Sequence, residues 1–313
     1  MTGSGWKDEA RAGPAPSPRG ARLTGDSNYA LGALLVVVAV GAIAVSDVFA
    51  KLLSPRYPTL QIVFFRAVVA GTLLGGVAAW RLWGRRRRGV RRPWLQLVRG
   101  LLATAAVGLF FWGLAHAPFA NAVAVSATAP LFMALLGWLA LREPLRRAFW
   151  PSLVLGVCGV LFIAQPGHLE AEVSLSLGLP YLAVLGGALC YALVSVVTRV
   201  MAADDPAETT AFLTYAVTVA ATGAVLAFGR WVAPESVDWP LFLGMGLAGA
   251  VGMVAYAQAY VFAGVANLAP WDNMVFPWAL ALSVLVFAET PAPTALIGGG
   301  LIMASGLLIS WFR

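Results

Sequence analysis

The sequence predicts an all-α integral membrane protein whose ten transmembrane helices form two inverted five-helix repeats. Three observations predict it. Of the 313 residues, 60% are hydrophobic and 11% charged, where a soluble domain carries about 25% charge. Mean hydropathy is +0.82. Apolar stretches close to the ~20 residues that cross a bilayer as a helix follow one another along the chain. Finally, one stretch in each half carries the same spacing of Asn, Pro and Glu.

Residues 1–28 are polar and rich in Pro, Gly and Ser, with no apolar run, so they read as a disordered cytoplasmic tail without a cleavable signal. The spans then run over about 29–50, 59–80, 94–116, 119–141, 148–164, 175–198, 209–229, 240–262, 266–288 and 294–312. The fifth is the shortest. Only helices are admitted here, because irregular backbone facing lipid would leave N–H and C=O groups unpaired. Orientation follows from Lys and Arg. With the N-terminus in the cytoplasm, sixteen of them fall in cytoplasmic segments, seven within "RLWGRRRRGVRR" alone. Three fall outside (Lys51, Arg56 and Arg230), and Arg66 and Arg99 lie within spans. That asymmetry puts both termini in the cytoplasm of an inner (plasma) membrane protein. The basic run belongs to a loop beside the bilayer rather than to a nucleic-acid partner. Cys158 and Cys190 fall in apolar segments and read as buried thiols.

The repeat is visible in "FANAVAVSATAPLFMALLGWLALREP" and "VANLAPWDNMVFPWALALSVLVFAETP". Asn121 to Glu143 and Asn267 to Glu289 are each 22 residues, with Pro130 and Pro277 between them. Asp47 and Lys51 line up with Ser195 and Arg199. The halves are 29–165 and 175–312. Five spans per half is odd, so span four and its counterpart, span nine, cross in opposite directions and the halves are inverted. Inverted repeats are the usual architecture of secondary transporters, which hold substrate near the midplane between the halves.

These residues resemble the EamA-type transporters of the drug/metabolite transporter superfamily, over nearly all of the chain after residue 29. "SDVFAKLLSPRYPTLQIVFFR", "QLVRGLLATAAVGLFFWGLAHAP" and "AVSATAPLFMALLGWLALREPL" look like the branch containing S-adenosylmethionine and riboflavin uptake carriers. The resemblance attaches to Asp47, Lys51, Phe64, Arg66, Ala269, Pro270, Trp271 and Asp272. The second half departs from the first: Leu213 stands in the place of Arg66.

Charge within a span costs at least about 2.5 kcal/mol, so such residues face protein or a water-filled cavity. Asp47 and Lys51 are four apart and share a helix face, and Arg66 enters span two from the same side. Asp47 and Arg66 are expected to face one vestibule, either paired or meeting a charged substrate, with Lys51 reaching toward the surface. In "APWDNMVF", Pro270 removes a backbone donor and is followed by Trp271, Asp272 and Asn273, a set that suits a polar or aromatic ligand; Asp272 capping the helix beyond the proline is the alternative. Trp112, Tyr191, Ser195, Tyr256 and Gln258 interrupt apolar helices and are further cavity candidates. Asn121 and Asn267 read as N-caps. Glu143 and Glu289 close their spans at opposite faces, pairing locally with a gating role.

These features point to a carrier working by alternating access on a small polar or aromatic-containing metabolite: S-adenosylmethionine, riboflavin-like or amino-acid-like. An amino acid or drug exporter of the same fold is the alternative. An integral membrane enzyme or a channel fits less well. The sequence has no phosphate-binding loop, no G-x-S-x-G and no metal-ligand spacing, and its two histidines are His116 and His168. No cofactor or metal is expected. The expected partners are the solute, membrane lipid and a coupling proton or cation, with Asp47 or Asp272 as its carboxylate, in a monomer or homodimer.

Overall fold

A computed structural model describes residues 26–82, 92–141, 147–164, 171–201, 207–262 and 268–311. Nearly all of the expected tail, Glu143, His168 and Asn267 lie outside the described residues. The chain is helical: α1 (Asp26–Leu53), α2 (Thr59–Leu82), α3 (Pro93–His116), α4 (Phe119–Ser126), α5 (Ala129–Leu141), α6 (Phe149–Ala164), α7 (Ala171–Met201), α8 (Ala207–Phe228), α9 (Trp239–Phe262), α10 (Val275–Phe287) and α11 (Pro293–Trp311). Seven apolar helical stretches are long enough to cross a membrane, and the shorter Phe149–Ala164, Trp271–Phe287 and Pro293–Leu308 complete ten spans. These helices expose Leu, Val and Phe on their outer faces, including Leu139, Leu285 and Phe228. Such surfaces suit lipid, whose chains are as apolar as the side chains they meet.

Spans four and nine are both broken. The fourth consists of α4 and α5, parted by a turn at Ala127 and Thr128. There the Ser126 and Thr128 hydroxyls donate back to Val123 O and Val125 O, 2.7 and 2.8 Å. The ninth opens with a 3-10 turn, Ala269–Met274, with Pro270 at its start, before α10. Pro130 and Pro277 stand in the first turn of α5 and of α10, where a missing N–H costs the helix nothing.

The main packed pairs join one half to the other. Helix α1 packs on α9, α3 on α7, α2 on α8 and α6 on α11; α3 also meets α8, α2 meets α9, α5 meets α7 and α1 meets α10. Exchanging each span with the one five places on returns the same set of pairs, the pattern of an internal two-fold axis. The halves thus interdigitate, and neither buries its own faces alone. Helices α6 and α11 meet at glycine. A Cβ on Gly159 would come within 2.6 Å of the Gly298 carbonyl oxygen, and one on Gly298 within 2.6 Å of that of Gly159. Beside this contact Ser305 donates to the Ser152 carbonyl at 2.7 Å.

Apolar packing is uneven along the bundle. A large buried cluster, including Leu53, Tyr57, Phe65, Phe119, Phe242 and Met245, fills the end where α1 meets α2. Its rings touch across the halves: Tyr57 and Phe65 lie 5.0 and 4.6 Å from Phe242. A smaller cluster of Ala33, Val36, Val40, Ala259 and Leu268 lies toward the opposite end.

Candidate functional site

Between the halves lies a cavity of about 250 Å³, lined from α1 (Ile43, Asp47), α2 (Arg66), α3 (Ala106, Val107, Phe110), α4 (Val123, Ser126), α5 (Ala129), α7 (Val184, Gly187, Ala188, Tyr191) and α10 (Val275). Four of these residues are polar. Asp47 is 7% exposed and Arg66 half-buried, and both line this one space. They form no direct salt bridge, and neither makes a hydrogen bond among the described residues. The Arg66 guanidinium lies 5.2 Å from the centre of the Phe111 ring, a cation–π contact that holds it without using its donors. Tyr191, 55% exposed, stands where the cavity meets the surface. A single acid and base in a mostly apolar chamber can hold a solute carrying both charges, its body packed on Phe110 and Tyr191.

Lys51 belongs elsewhere. Its Nζ donates to Glu289 Oε1 at 2.7 Å and to the Ala117 carbonyl at 2.9 Å, and lies 4.8 Å from the Phe287 ring centre. Glu289 Oε2 accepts from the Phe119 N–H (2.8 Å) and the Ser283 hydroxyl (2.7 Å). Helix α10 ends in a left-handed turn at Ala288, φ 53°, which folds the Glu289 N–H back onto the Ser283 carbonyl. The expectation of local pairing for Glu289 is corrected here: its cation comes from the first helix of the other half. Burial alone would raise the Glu289 carboxyl, but the bonds from Lys51, Ser283 and the Phe119 N–H outweigh it and hold it below the usual carboxylate range.

A second bridge at the same face was not anticipated. Arg56 Nη1 donates to both oxygens of Asp238 (2.8 and 3.0 Å), and the Tyr57 hydroxyl donates to Asp238 at 2.8 Å while accepting from the Glu235 N–H at 3.0 Å. The Tyr57 hydrogen bond, followed by Arg56, keeps the Asp238 carboxyl below its ordinary range. Nearby, Gln61 bonds Val232 through both its amide groups, donating at 2.6 Å and accepting at 3.1 Å. The only sequence signal for this clasp was the presence of Arg56 and Asp238 in two loops on one side of the predicted topology.

The other candidates disperse. Trp112 stacks on His116, centroids 4.5 Å apart, outside the cavity lining. The Ser195 hydroxyl donates to the Tyr191 carbonyl. Gln258 is half-buried in α9, also outside the lining. Asn121 is no N-cap: Pro118 holds that position, and the Asn121 amide donates to the Tyr181 hydroxyl at 3.1 Å from within α4. Asp272 does not cap α10, whose N-cap is Met274, with no side chain bonded there. It accepts from the Tyr256 hydroxyl at 3.0 Å, and Trp271 Nε1 donates to Tyr29 at 3.1 Å. The carboxamide oxygen of Asn273 occupies space that a side chain at Gly306 would need. This group forms a polar knot of α1, α9 and the 3-10 turn, separate from the Asp47–Arg66 chamber.

Arg99 was placed in a span but given no role. It is held by α7 and α8: Nε donates to Thr198 at 2.7 Å, and Nη1 bonds Thr214 and the Thr210 carbonyl, the latter at 3.4 Å. Gln96 and Thr104 bond Thr210 and Thr218 in the same seam, at 3.0 and 2.9 Å. The signal for it was legible, since Thr210, Thr214, Thr218 and Thr222 recur at every fourth residue and so share one face of α8.

Comparison with known proteins agrees with this architecture. The chain is 29% identical over 286 residues to a riboflavin transporter of Rhizobium johnstonii, covering 90% of this chain and 92% of that one. It is 29% identical over 289 residues to the pseudopaline exporter CntI of Pseudomonas aeruginosa, covering 89% and 95%. An S-adenosylmethionine uptake transporter of Rickettsia prowazekii is 21% identical over 266 residues, 85% and 87% of the two chains. A solved crystal structure superposes with a TM-score of 0.60 over 90% of this chain and 96% of its own, at 20% identity, which speaks to the fold alone. The EamA-like transporter family matches residues 30–165 and again residues 178–311, once in each half. With ten apolar spans, a two-fold packing scheme and a chamber between its halves, this multi-pass membrane protein belongs to the EamA-like transporter family.

Proposed function

We propose that the protein is a secondary active transporter that moves a small polar or aromatic-containing metabolite across the cytoplasmic membrane by alternating access. The observation that carries this is the chamber itself: both halves line it, and it holds an acid and a base that are not bonded to each other. Asp47 would receive a cationic group, Arg66 a carboxylate or polar oxygen, and Tyr191 with Phe110 an aromatic body. S-adenosylmethionine, which joins an amino-acid end to an adenine, has this combination. Riboflavin-like and amino-acid-like solutes share parts of it. The halves that rock are residues 29–165 and 175–312, with residues 1–28 as a cytoplasmic tail. The excess of Lys and Arg on one side supports cytoplasmic termini, which would put the Lys51–Glu289 and Arg56–Asp238 bridges at the outer face. A proton or cation, taken up at Asp47 or Asp272, would supply the drive, in a monomer or homodimer embedded in lipid.

The test is counterflow in proteoliposomes with a panel of labelled solutes, beginning with S-adenosylmethionine, riboflavin and zwitterionic amino acids. Saturable counterflow of at least one of them is expected. Conductance without saturation, or no counterflow by any solute, would overturn the reading. Export is the second direction, supported by a likeness to the pseudopaline exporter equal to that to the riboflavin transporter. Comparing right-side-out with inside-out vesicles decides between them.

A further inference from the structure

The cavity and the Lys51–Glu289 bridge are built from the same elements. Helices α1, α4 and α10 each contribute to the chamber, through Asp47, Val123 and Val275. The same three meet at the bridge: Lys51 ends α1, Glu289 follows α10, and the Phe119 N–H that Glu289 accepts begins α4. Phe119 and Phe287 stack beneath it with centroids 5.5 Å apart. Asp47 and Lys51 lie one turn apart on one face of α1, so a shift of that turn moves both. The Arg56–Asp238 bridge differs. It ties the α1–α2 connection to the α8–α9 connection, and neither α8 nor α9 lines the chamber.

We propose that Lys51–Glu289 is the outer gate of the route and that α1 is the lever joining the gate to the occupancy of the chamber, while Arg56–Asp238 is a clasp that stays shut throughout. This rests on the carrier reading and on its assignment of the outer face. Closed, the pair is half-buried and satisfied by a carbonyl, an amide and a hydroxyl in addition to its own bond. Opened, both charges pass into water at the membrane surface. An ion pair whose partners are hydrated when parted exchanges one favourable state for another, whereas parting packed aromatic rings offers nothing in return. The pair is therefore suited to open and reclose. Lys51 and Glu289 control access and do not touch cargo.

The experiment uses the full chain in right-side-out vesicles, with Cys158→Ala and Cys190→Ala and a reporter, Ser126→Cys, in the chamber. A membrane-impermeant maleimide is added outside. Glu289→Gln or Lys51→Met should raise the labelling rate about tenfold by shifting the population toward the open state. The exchanged pair, Lys51→Glu with Glu289→Lys, should return it to within about twofold of the parent, and Arg56→Ala should leave it there. Unchanged labelling in the single variants, an equal rise with Arg56→Ala, or an exchanged pair no better than the singles would overturn the proposal. A bridge that only holds the fold would lower the melting temperature in detergent without side-selective labelling. If the single variants fail to fold, Lys51→Cys with Glu289→Cys joined by a cleavable bifunctional reagent decides the matter. Counterflow should stop on joining and return on cleavage; counterflow indifferent to joining overturns the gate. Failure of the unmodified protein to transport any solute would sink the carrier reading and leave the labelling result standing.

Discussion

Arg66 and Arg99 are the same residue type within the same membrane, yet they are satisfied differently. Arg99 is embedded in polypeptide, with two threonine hydroxyls and a carbonyl meeting its guanidinium from α7 and α8. Arg66 receives no hydrogen bond acceptor among the described residues, only the face of Phe111, with Asp47 lining the same chamber. Both pay a similar penalty for leaving water, so the contrast lies in what offsets it. The chain itself offsets the penalty for Arg99. For Arg66 the chain supplies only the Phe111 ring and a place at the cavity wall. A charge met by acceptors of its own fold is a strut; the one left facing the chamber is, in our proposal, a binding group.

Four measurements break or sharpen that contrast. Arg66→Gln is expected to lower solute uptake about 100-fold, the loss of a charge-assisted contact, while the melting temperature in detergent stays near that of the parent. Should uptake survive and the melting temperature fall, the two arginines would exchange roles. Arg99→Gln is expected to do the reverse, lowering stability by about 2 kcal/mol because three acceptors lose their cation. Thermal unfolding with the uptake of the surviving folded fraction reads both effects. A pH series reports on the loop carboxylates. Glu289 and Asp238 are held below their ordinary range, so their bonds persist above the usual carboxylate pKa and fail only as pH falls beneath it. External labelling of the Ser126→Cys reporter, taken as a ratio to a permanently exposed surface cysteine so that the falling thiolate fraction cancels, should stay flat from about pH 8 to 5 and rise roughly fivefold below pH 4; a rise in that ratio near pH 6 would implicate another group. The smallest effect is Phe111→Leu, which removes the ring beneath Arg66 and should raise the apparent KM two- to threefold, roughly the worth of one cation–π contact. No change would mean that Arg66 holds its place unaided.

The ten spans were legible because burial in lipid demands ~20 apolar residues each, a constraint written locally in the chain. The two broken spans were legible in part. Pro270 marked an interruption in the ninth span, but nothing marked that the fourth span would divide at Ala127 and Thr128. Asp47 and Arg66 were recognisable as a pair facing one space because charge in a span is costly wherever it lies. The partners of Asn121, Asp272 and Glu289 were not. A cap was the local expectation for Asn121 and the alternative for Asp272, and each instead bonds a tyrosine on another helix, Tyr181 or Tyr256. Lys51 and Glu289 are separated by 238 positions, and no local pattern could have joined them.

What the sequence by itself determined is membrane insertion, the number of spans, the doubled architecture and the cost of each buried charge, because hydropathy, spacing and residue chemistry are properties of short stretches. Only the tertiary structure decided which charges meet, because the halves interleave and bring together ends of helices from opposite parts of the chain. It alone put Arg66 at a cavity, Arg99 among threonines and Lys51 on Glu289. Three cations that look alike along the chain differ only in what the packed bundle sets beside them.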